Sequence, residues 1–442
     1  MLHILTATLL AAAHLVAPTP ATPSAATPSA GGTVAATGIH VSGTRILEST
    51  GDAFVFRGVN HAHTWYQSQT TALADLKSLG ANSARVVLAS GKRWAKNDTA
   101  DVAAVVAECK RVKLICVLEV HDTTGYGEEA AAATLDEAAT YWISVKSALD
   151  GQEPYVVLNI GNEPYGNTGA SAWTAATTSA VQRLRSAGFG HAIMVDAPNW
   201  GQDWQFVMRD NAASVFAADP QKNTIFSIHM YGVFDTAAEI TDYIGRFQTA
   251  NLPLVIGEFG NMHSDGDPDE DTILATAQSR GIGYLGWSWS GNGGGVEYLD
   301  MVTNFSKSAL TTWGTRIFNG ANGIKATARQ AAVYGGTEPP PEPSPGCTAS
   351  YAATGDWGNG FQGAVTVKAG SSAITGWTVT WTWPDGQRFT NTWNAVVSGT
   401  EAITARNAAY NGALPAGGSA SWGFTASRGS ANRPPAPTCT AS

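Results

Sequence analysis

The stretches VVLNIGNEP at 156–164 and LVIGEFGN at 254–261 share one pattern: an aliphatic run leads directly into a single glutamate, Glu163 in the first and Glu258 in the second. Short apolar runs bounded by turn residues read as buried strands. In a parallel αβ barrel the active site gathers at the carboxyl ends of the strands, so glutamates ending two strands face each other across one cleft. Cleaving a glycosidic bond needs such a pair: a carboxylic acid protonates the leaving oxygen while a carboxylate opposite attacks carbon or activates water. The alternative for either glutamate alone is a strand cap or the first residue of a loop, and the rest of the chain decides between the two.

Working outward, eight runs rich in Val, Ile and Leu alternate with helical patterns, which predicts a parallel sheet. The predicted strands are 53–60, 83–89, 113–122, 155–163, 192–198, 224–231, 254–260 and 283–290. Between them lie amphipathic segments such as TALADLKSLG (71–80) and TAAEITDYIGRFQTAN (236–251), suited to an outer helical ring. Eight strands in about 250 residues match one closed (β/α)8 barrel, expected over residues 31–334.

Residues 1–30 hold a short apolar run followed by Ala, Pro, Ser and Thr, which reads as a signal peptide, although its first residues contain His3 and no Lys or Arg. The run is too short to span a bilayer, and no other stretch is long enough, so a secreted, extracellular protein without a membrane partner is expected. GGTEPPPEPSPG at 335–346 is an extended, semi-rigid linker. Residues 347–442 carry short Thr/Val/Trp runs and frequent Gly/Asn turns, the pattern of a small antiparallel β-sandwich.

Four cysteines fit an exported chain. Joining Cys347 to Cys439 would staple the ends of the last module, a loop closure stabilising by about 4 to 5 kcal/mol. Cys109 and Cys116 sit across a helix end and the next strand, where a disulfide and two buried thiols both fit. Only 14% of residues are charged and the formal net charge is -9, which excludes a nucleic-acid partner. Fifteen Trp and 48 Gly favour a neutral ligand whose flat C–H faces aromatic rings can cover.

Barrel interiors are normally filled by aliphatic side chains, yet Arg85, His121, Asn162, His229, Tyr231 and Trp287 all fall at or near strand ends. One such residue is ordinarily a satisfied core polar group; six beside two glutamates describe a site. Over residues 38–334 the chain resembles glycoside hydrolase family five, and within it the bacterial endo-β-1,4-mannanases. The stretches that carry the resemblance are RGVNHAHTWY, ARVVLASGKRW, LICVLEVHDTTGYG, VLNIGNEPYGN, FSIHMYG, VIGEFGN and GWSWSGNGGGVEYLD. The resemblance implies that Glu163 is the acid/base and Glu258 the nucleophile.

Physical roles for the others follow. Tyr231 and Arg85 are expected to hold Glu258 ionised and lower its pKa. With less such support, Glu163 would keep a proton to donate. Asn162 is expected on the sugar 2-hydroxyl, His121 and His229 on hydroxyls or the acid/base, and Trp287 beneath the sugar. His63 and Trp65, just past the first strand, either line the same cleft or pack a loop. Glu119 shares strand parity with His121 and reads as a buried support paired with Arg85. Asp265, Asp267, Asp269, Glu270 and Asp271 form an acidic run in which Asp269, Glu270 and Asp271 are candidates for a structural Ca²⁺, against an ordinary helix N-terminus. No zinc, iron or phosphate motif appears, and no cofactor is expected to be required.

In GWTVTWTWPDG (376–386), Trp377, Val379, Trp381 and Trp383 alternate with Thr or Pro neighbours and are expected to fill the sandwich core. Trp357, Trp393 and Tyr410 sit among Gly, Asn and small residues, a setting for exposed rings. This module is similar to carbohydrate-binding module family two, which implies that these three form a flat polysaccharide-binding strip and that crystalline cellulose or another plant cell-wall polysaccharide is the partner. Holding the enzyme there raises its effective concentration near mannan. The expectation is therefore a monomeric, retaining endo-β-1,4-mannanase acting on mannan, glucomannan and galactomannan, with its carboxyls about 5 to 5.5 Å apart. The alternatives are an endo-β-1,4-glucanase on the same fold and a non-catalytic polysaccharide-binding protein.

Overall fold

A computed structural model of the chain describes residues 38–336, 346–370, 373–415, 417–430, 432, 435 and 437–441. The expected signal peptide, and all of the expected linker but its end residues, lie outside the described residues. A short hairpin, β1 (His40–Ser42) and β2 (Arg45–Leu47), precedes the eight strands of a closed parallel barrel. These are β3 (Arg57–His61), β4 (Ser83–Leu88), β5 (Ile115–Val120), β6 (Val156–Asn159), β7 (Ile193–Asp196), β8 (Thr224–Met230), β9 (Leu254–Phe259) and β10 (Gly283–Gly286), with β10 pairing back onto β3. All eight expected strands form, each shorter than its apolar run, because residues flanking the ladder turn into the loops at either mouth.

Helices α1 (Ala72–Ser78), α2 (Thr99–Val112), α3 (Leu135–Ser144), α4 (Trp173–Ser186), α5 (Val207–Ala218), α6 (Ala237–Thr249), α7 (Glu270–Arg280) and α8 (Thr312–Asn319) surround the sheet. Local sequence sets their starts: Asp98, Thr236 and Asp269 cap α2, α6 and α7, and Thr134 with Glu137 closes a capping box on α3. Cys109 at the end of α2 is bonded to Cys116 in β5.

Strand alternation sorts the barrel into two layers. Outward residues such as Val86, Leu118, Leu158 and Phe226 pack against the helices. Inward residues near the amino ends, among them Val117, Val157, Met194, Ile225, Val255 and Leu285, meet Ile46, Phe54 and Phe56 of the N-terminal segment, which closes that mouth with apolar surface. One step toward the carboxyl ends the inward positions turn polar. Asn60, Arg85, Glu119, Asn159, Asp196, His229 and Glu258 come from β3 to β9 in turn, all buried, with Trp287 just past β10.

The C-terminal module has two four-stranded antiparallel sheets, ordered β11-β12-β17-β14 and β15-β16-β13-β18. The strands are β11 (Cys347–Asp356), β12 (Gly360–Ala369), β13 (Trp377–Thr382), β14 (Arg388–Trp393), β15 (Ala395–Ser398), β16 (Ala402–Asn407), β17 (Ser419–Ser427) and β18 (Thr438–Ala441). Trp377, Val379, Trp381 and Trp383 are buried together with Trp422 and Phe424, so the period-two pattern reads the core side correctly. Cys347 is bonded to Cys439, joining the first and last strands.

Candidate active site

Glu258 faces the barrel interior only because β9 is irregular. Strict alternation would group it with Leu254 and Ile256, which point outward to the helices. The ladder to β8 shifts between Ile228 and His229, so Ile228 pairs with Ile256 but His229 pairs with Glu258. The extra residue is Gly257. A Cβ there would stand 2.1 Å from Oγ of Ser227, so only glycine fits. The bulge re-aims the carboxylate into the cleft, a common use of bulges beside functional sites.

Glu163 is not the last residue of its strand. β6 ends at Asn159, and Glu163 follows on a loop with φ +39°. Its Oε1 lies 2.8 Å from Nδ1 of His229, and Oε2 of Glu258 lies 3.6 Å from the same nitrogen. One oxygen of each glutamate and a ring nitrogen of His229 all fall within 4.8 Å of one another.

Arg85 organises the floor beneath them. Its Nε donates to Asn159 at 2.9 Å, Nη1 to Asn60 at 2.9 Å and Glu258 at 2.7 Å, and Nη2 to Asn162 at 2.7 Å and Asp196 at 2.9 Å. A guanidinium has five N–H groups and all five are used. Arg85, expected beside Glu258, does reach it; with all five N–H groups engaged it has no donor left for a sugar and acts as scaffold. Glu119 is buried with Oε1 3.8 Å from Nη1 of Arg85 and 2.9 Å from Nδ1 of His121, the supporting place expected for it. Asn60, Asn159 and Asp196 were absent from the sequence candidates.

Burial penalises the Glu258 carboxylate and pushes its pKa up, although His229 and Arg85 pull the other way; the expected lowering is not what this site produces. Tyr231 donates to Oε2 of Glu258 at 3.0 Å, and its own pKa is driven well above the usual range by burial and the two glutamates. Burial opposes a charge on His229 too, yet Glu258 and Asp196 raise it to about 10. Asp196 is held down at about 2 against its burial, chiefly by Arg85 and His229.

An aromatic wall flanks the carboxyls on the β5 and β10 side. His121 stacks on Trp287 with centroids 5.5 Å apart, and Trp65 and Trp94 pack edgewise and tilted onto His121. Trp65 is 37% exposed and available as a cleft surface. His63 instead engages Asp101 of α2 at 3.1 Å, the loop-packing alternative. Trp94 completes the wall and was missed, since its loop carries no strand-end signal. Asn162 accepts from Arg85, which fixes its amide so that Nδ2 donates to Thr124 at 2.9 Å and keeps one N–H free.

Beyond Glu163 the cleft opens into a space of about 270 Å³ lined by Trp200, Trp204, Gln202, Tyr231 and His263. Asp265, from the acidic run, is tied to His263, Gln202 and the Gly232 backbone. Asp269 caps α7, Glu270 begins it, and Asp271 pairs with Arg316. The helix N-terminus accounts for these acids. Among the described residues the one group of three or more His, Cys, Asp or Glu side chains close enough to share a metal ion is Glu163, His229 and Glu258.

In the sandwich, Trp357, Trp393 and Tyr410 are 53%, 36% and 74% exposed. The ring of Trp393 covers Gly423, where a Cβ would come within 2.5 Å of it, and Trp357 lies against Gly360 similarly. Gly360 pairs with Ser427, four residues from Gly423 along β17, so both glycines face the same side of the sheet, opposite the buried Phe424. Tyr410 donates to Asn394, the neighbour of Trp393, at 2.7 Å.

Residues 47–293 match the family model described as Cellulase (glycosyl hydrolase family 5), and residues 347–442 match that of a Cellulose binding domain. Over 303 residues the chain is 64% identical to a mannan endo-1,4-beta-mannosidase of Streptomyces lividans, covering 68% of this chain and 79% of that protein. A solved beta-mannanase from Thermomonospora fusca matches with a TM-score of 0.67 and 59% identity over 68% of this chain and 100% of that one. The C-terminal module is 49% identical over 98 residues to an endoglucanase A of Thermobispora bispora, 22% of this chain and 21% of that protein.

Proposed function

The chain belongs to glycosyl hydrolase family 5, and from that premise we propose a secreted endo-β-1,4-mannanase that cleaves internal bonds of mannan, glucomannan and galactomannan with retention of configuration. Glu258 attacks the anomeric carbon while Glu163 gives its proton to the departing glycosidic oxygen. Glu163 then takes a proton from water, which displaces Glu258 and frees the sugar. The observation that carries this reading is that one oxygen of Glu163 and one of Glu258 lie within 4.8 Å of each other, a closeness that favours the retaining carboxyl separation of about 5 to 5.5 Å over the inverting one of about 6.5 to 9.5 Å. Inversion would need room for a water between them.

Arg85 and Tyr231 each donate to a different oxygen of Glu258, which supports its role as the ionised nucleophile. In this reading the aromatic wall of Trp287, His121 and Trp65 takes a sugar face, and the remaining N–H of Asn162 donates to the 2-hydroxyl, a role supported by the fixing of its amide by Arg85 and Thr124. The preference for mannan rests on the high identity to mannan-degrading relatives. We further assign residues 1–30 to a signal peptide, 31–334 to the catalytic domain, 335–346 to a linker, and 347–442 to a module that binds crystalline cellulose through Trp357, Trp393 and Tyr410.

Release of reducing ends from linear mannan and from soluble cellulose, measured side by side with Glu258→Ala as the blank, tests the reading. Activity on mannan that vanishes in the variant supports it. Preference for cellulose would replace mannan with glucan on the same machinery, and inactivity on both would leave a polysaccharide-binding protein.

A further inference from the structure

Asp196 has no assigned role, yet it lies against both the backbone N–H of Glu163 and the His229 ring that meets the Glu163 carboxyl. It is the last residue of β7 and is fully buried. Oδ1 accepts from Asn159 at 3.0 Å, and Oδ2 accepts from Arg85 at 2.9 Å. The backbone N–H of Glu163 reaches the same Oδ2 at 3.4 Å, at the residue whose φ is +39°. Nε2 of His229 stands 3.3 Å from it, within charge attraction but off the line of a hydrogen bond. The other nitrogen of that ring, Nδ1, meets Oε1 of Glu163.

We propose that Asp196 is a positioning residue for the acid/base step, holding Glu163 through both its backbone and the His229 ring so that one carboxyl oxygen alone is presented to the glycosidic bond. With Nδ1–H of His229 donating to Oε1, the carboxyl proton of Glu163 has to sit on Oε2. Asp196 facing Nε2 makes carboxylates the neighbours of both ring nitrogens, so the ring carries a hydrogen on each. The groups facing His229 are Glu163 beyond β6, Asp196 on β7 and Glu258 on β9. Arg85 on β4 balances Asp196 and Glu258. The raised pKa of His229 agrees with this arrangement.

This inference rests on Glu163 being the acid/base, and the test separates the two. A 2,4-dinitrophenyl β-mannobioside has a leaving group that needs no proton, whereas mannohexaose does. In the full-length chain, Asp196→Asn is expected to lower kcat/KM on mannohexaose by about 30-fold or more, short of the full range for general acid–base catalysis. On the aryl substrate kcat/KM should stay within about threefold of wild type while kcat and KM fall together, because water must still be activated in the second step. Azide, which attacks the glycosyl–Glu258 ester without a base and releases the Glu258 carboxylate, should restore kcat and yield a mannobiosyl azide.

Equal losses on both substrates, or none on either, would overturn the role of Asp196. Glu163→Gln run in parallel should show the same split more strongly; if it does not, the acid/base assignment itself fails and the inference with it. Neutron diffraction from wild-type crystals guards against a variant that does not fold. Hydrogens on both nitrogens of His229 support the proposal, and a bare Nε2 facing Asp196 overturns it.

Discussion

Nη1 of Arg85 lies 2.7 Å from Oε1 of Glu258, although their strands stand three places apart around the barrel. The guanidinium crosses the interior to reach it and is buried throughout. Breaking such a contact leaves partners that nothing else can satisfy, which is costlier than losing an exposed pair.

Arg85→Lys keeps the charge but offers three N–H groups where five are engaged. At least two buried acceptors lose their donor, so stability should fall by about 2 to 4 kcal/mol. Activity on mannan should fall at least about 100-fold as Glu258 loses its fixed angle. Urea midpoints and initial rates check both, and a variant unchanged in either would contradict the scaffold role.

Gly257→Ala places a methyl 2.1 Å from Oγ of Ser227 and 3.2 Å from Nε2 of His229. The bulge must open, at about 1 to 3 kcal/mol for overpacking. We expect mannan hydrolysis to drop more than about 100-fold, since Glu258 is aimed by the bulge. Binding to cellulose by the C-terminal module should be unaffected, which separates a local lesion from global misfolding.

Acid lability should trace in part to His61, which burial, with a small effect of His63, pushes down to about 3. Its folded pKa lies below the unfolded value near 6.5, so its contribution is complete above about 6.5 and is lost as pH falls toward 3. The slope for one such group is about 1.4 kcal/mol per pH unit. Denaturant melts at pH 7, 6 and 5 should show a gap between wild type and His61→Gln that changes with this sign; parallel curves would exclude it.

Trp393→Ala removes a ring that covers Gly423. Loss of about 1.5 kcal/mol or more of apolar contact should weaken adsorption to crystalline cellulose roughly tenfold. Hydrolysis of soluble mannan should be unchanged, and depletion isotherms alongside rate assays read both.

The barrel was legible because each strand is a short apolar run between turn residues, and both glutamates stood out against those runs. Parity was the weak point. Read as a regular strand, LVIGEFG sends Glu258 to the helices with Leu254 and Ile256, and no local signal announces the bulge beyond Gly257 itself. Asp196 did carry a signal: a carboxylate in the apolar run AIMVDAP has to find a buried cation, and Arg85 was the candidate at hand. Asn60 and Asn159 carried less, since uncharged amides inside strands are often satisfied locally. The burial that raises Glu258 depends on loops folding over the mouth, which single residues do not encode.

Each of β3 to β9 sends one polar side chain into the same layer, with Trp287 following β10. The reactive centre thus has no owner among the segments of the chain; it exists where the ring of strands shuts. The half from β7 to β10 would hold Asp196 and Glu258 without their cation, and the half from β3 to β6 would keep Arg85 without those two carboxylates. What matters is cyclic adjacency and not the point at which the polypeptide starts, so chains cut open at a different helix–strand loop and rejoined elsewhere inherit the same chemistry as long as the circle closes.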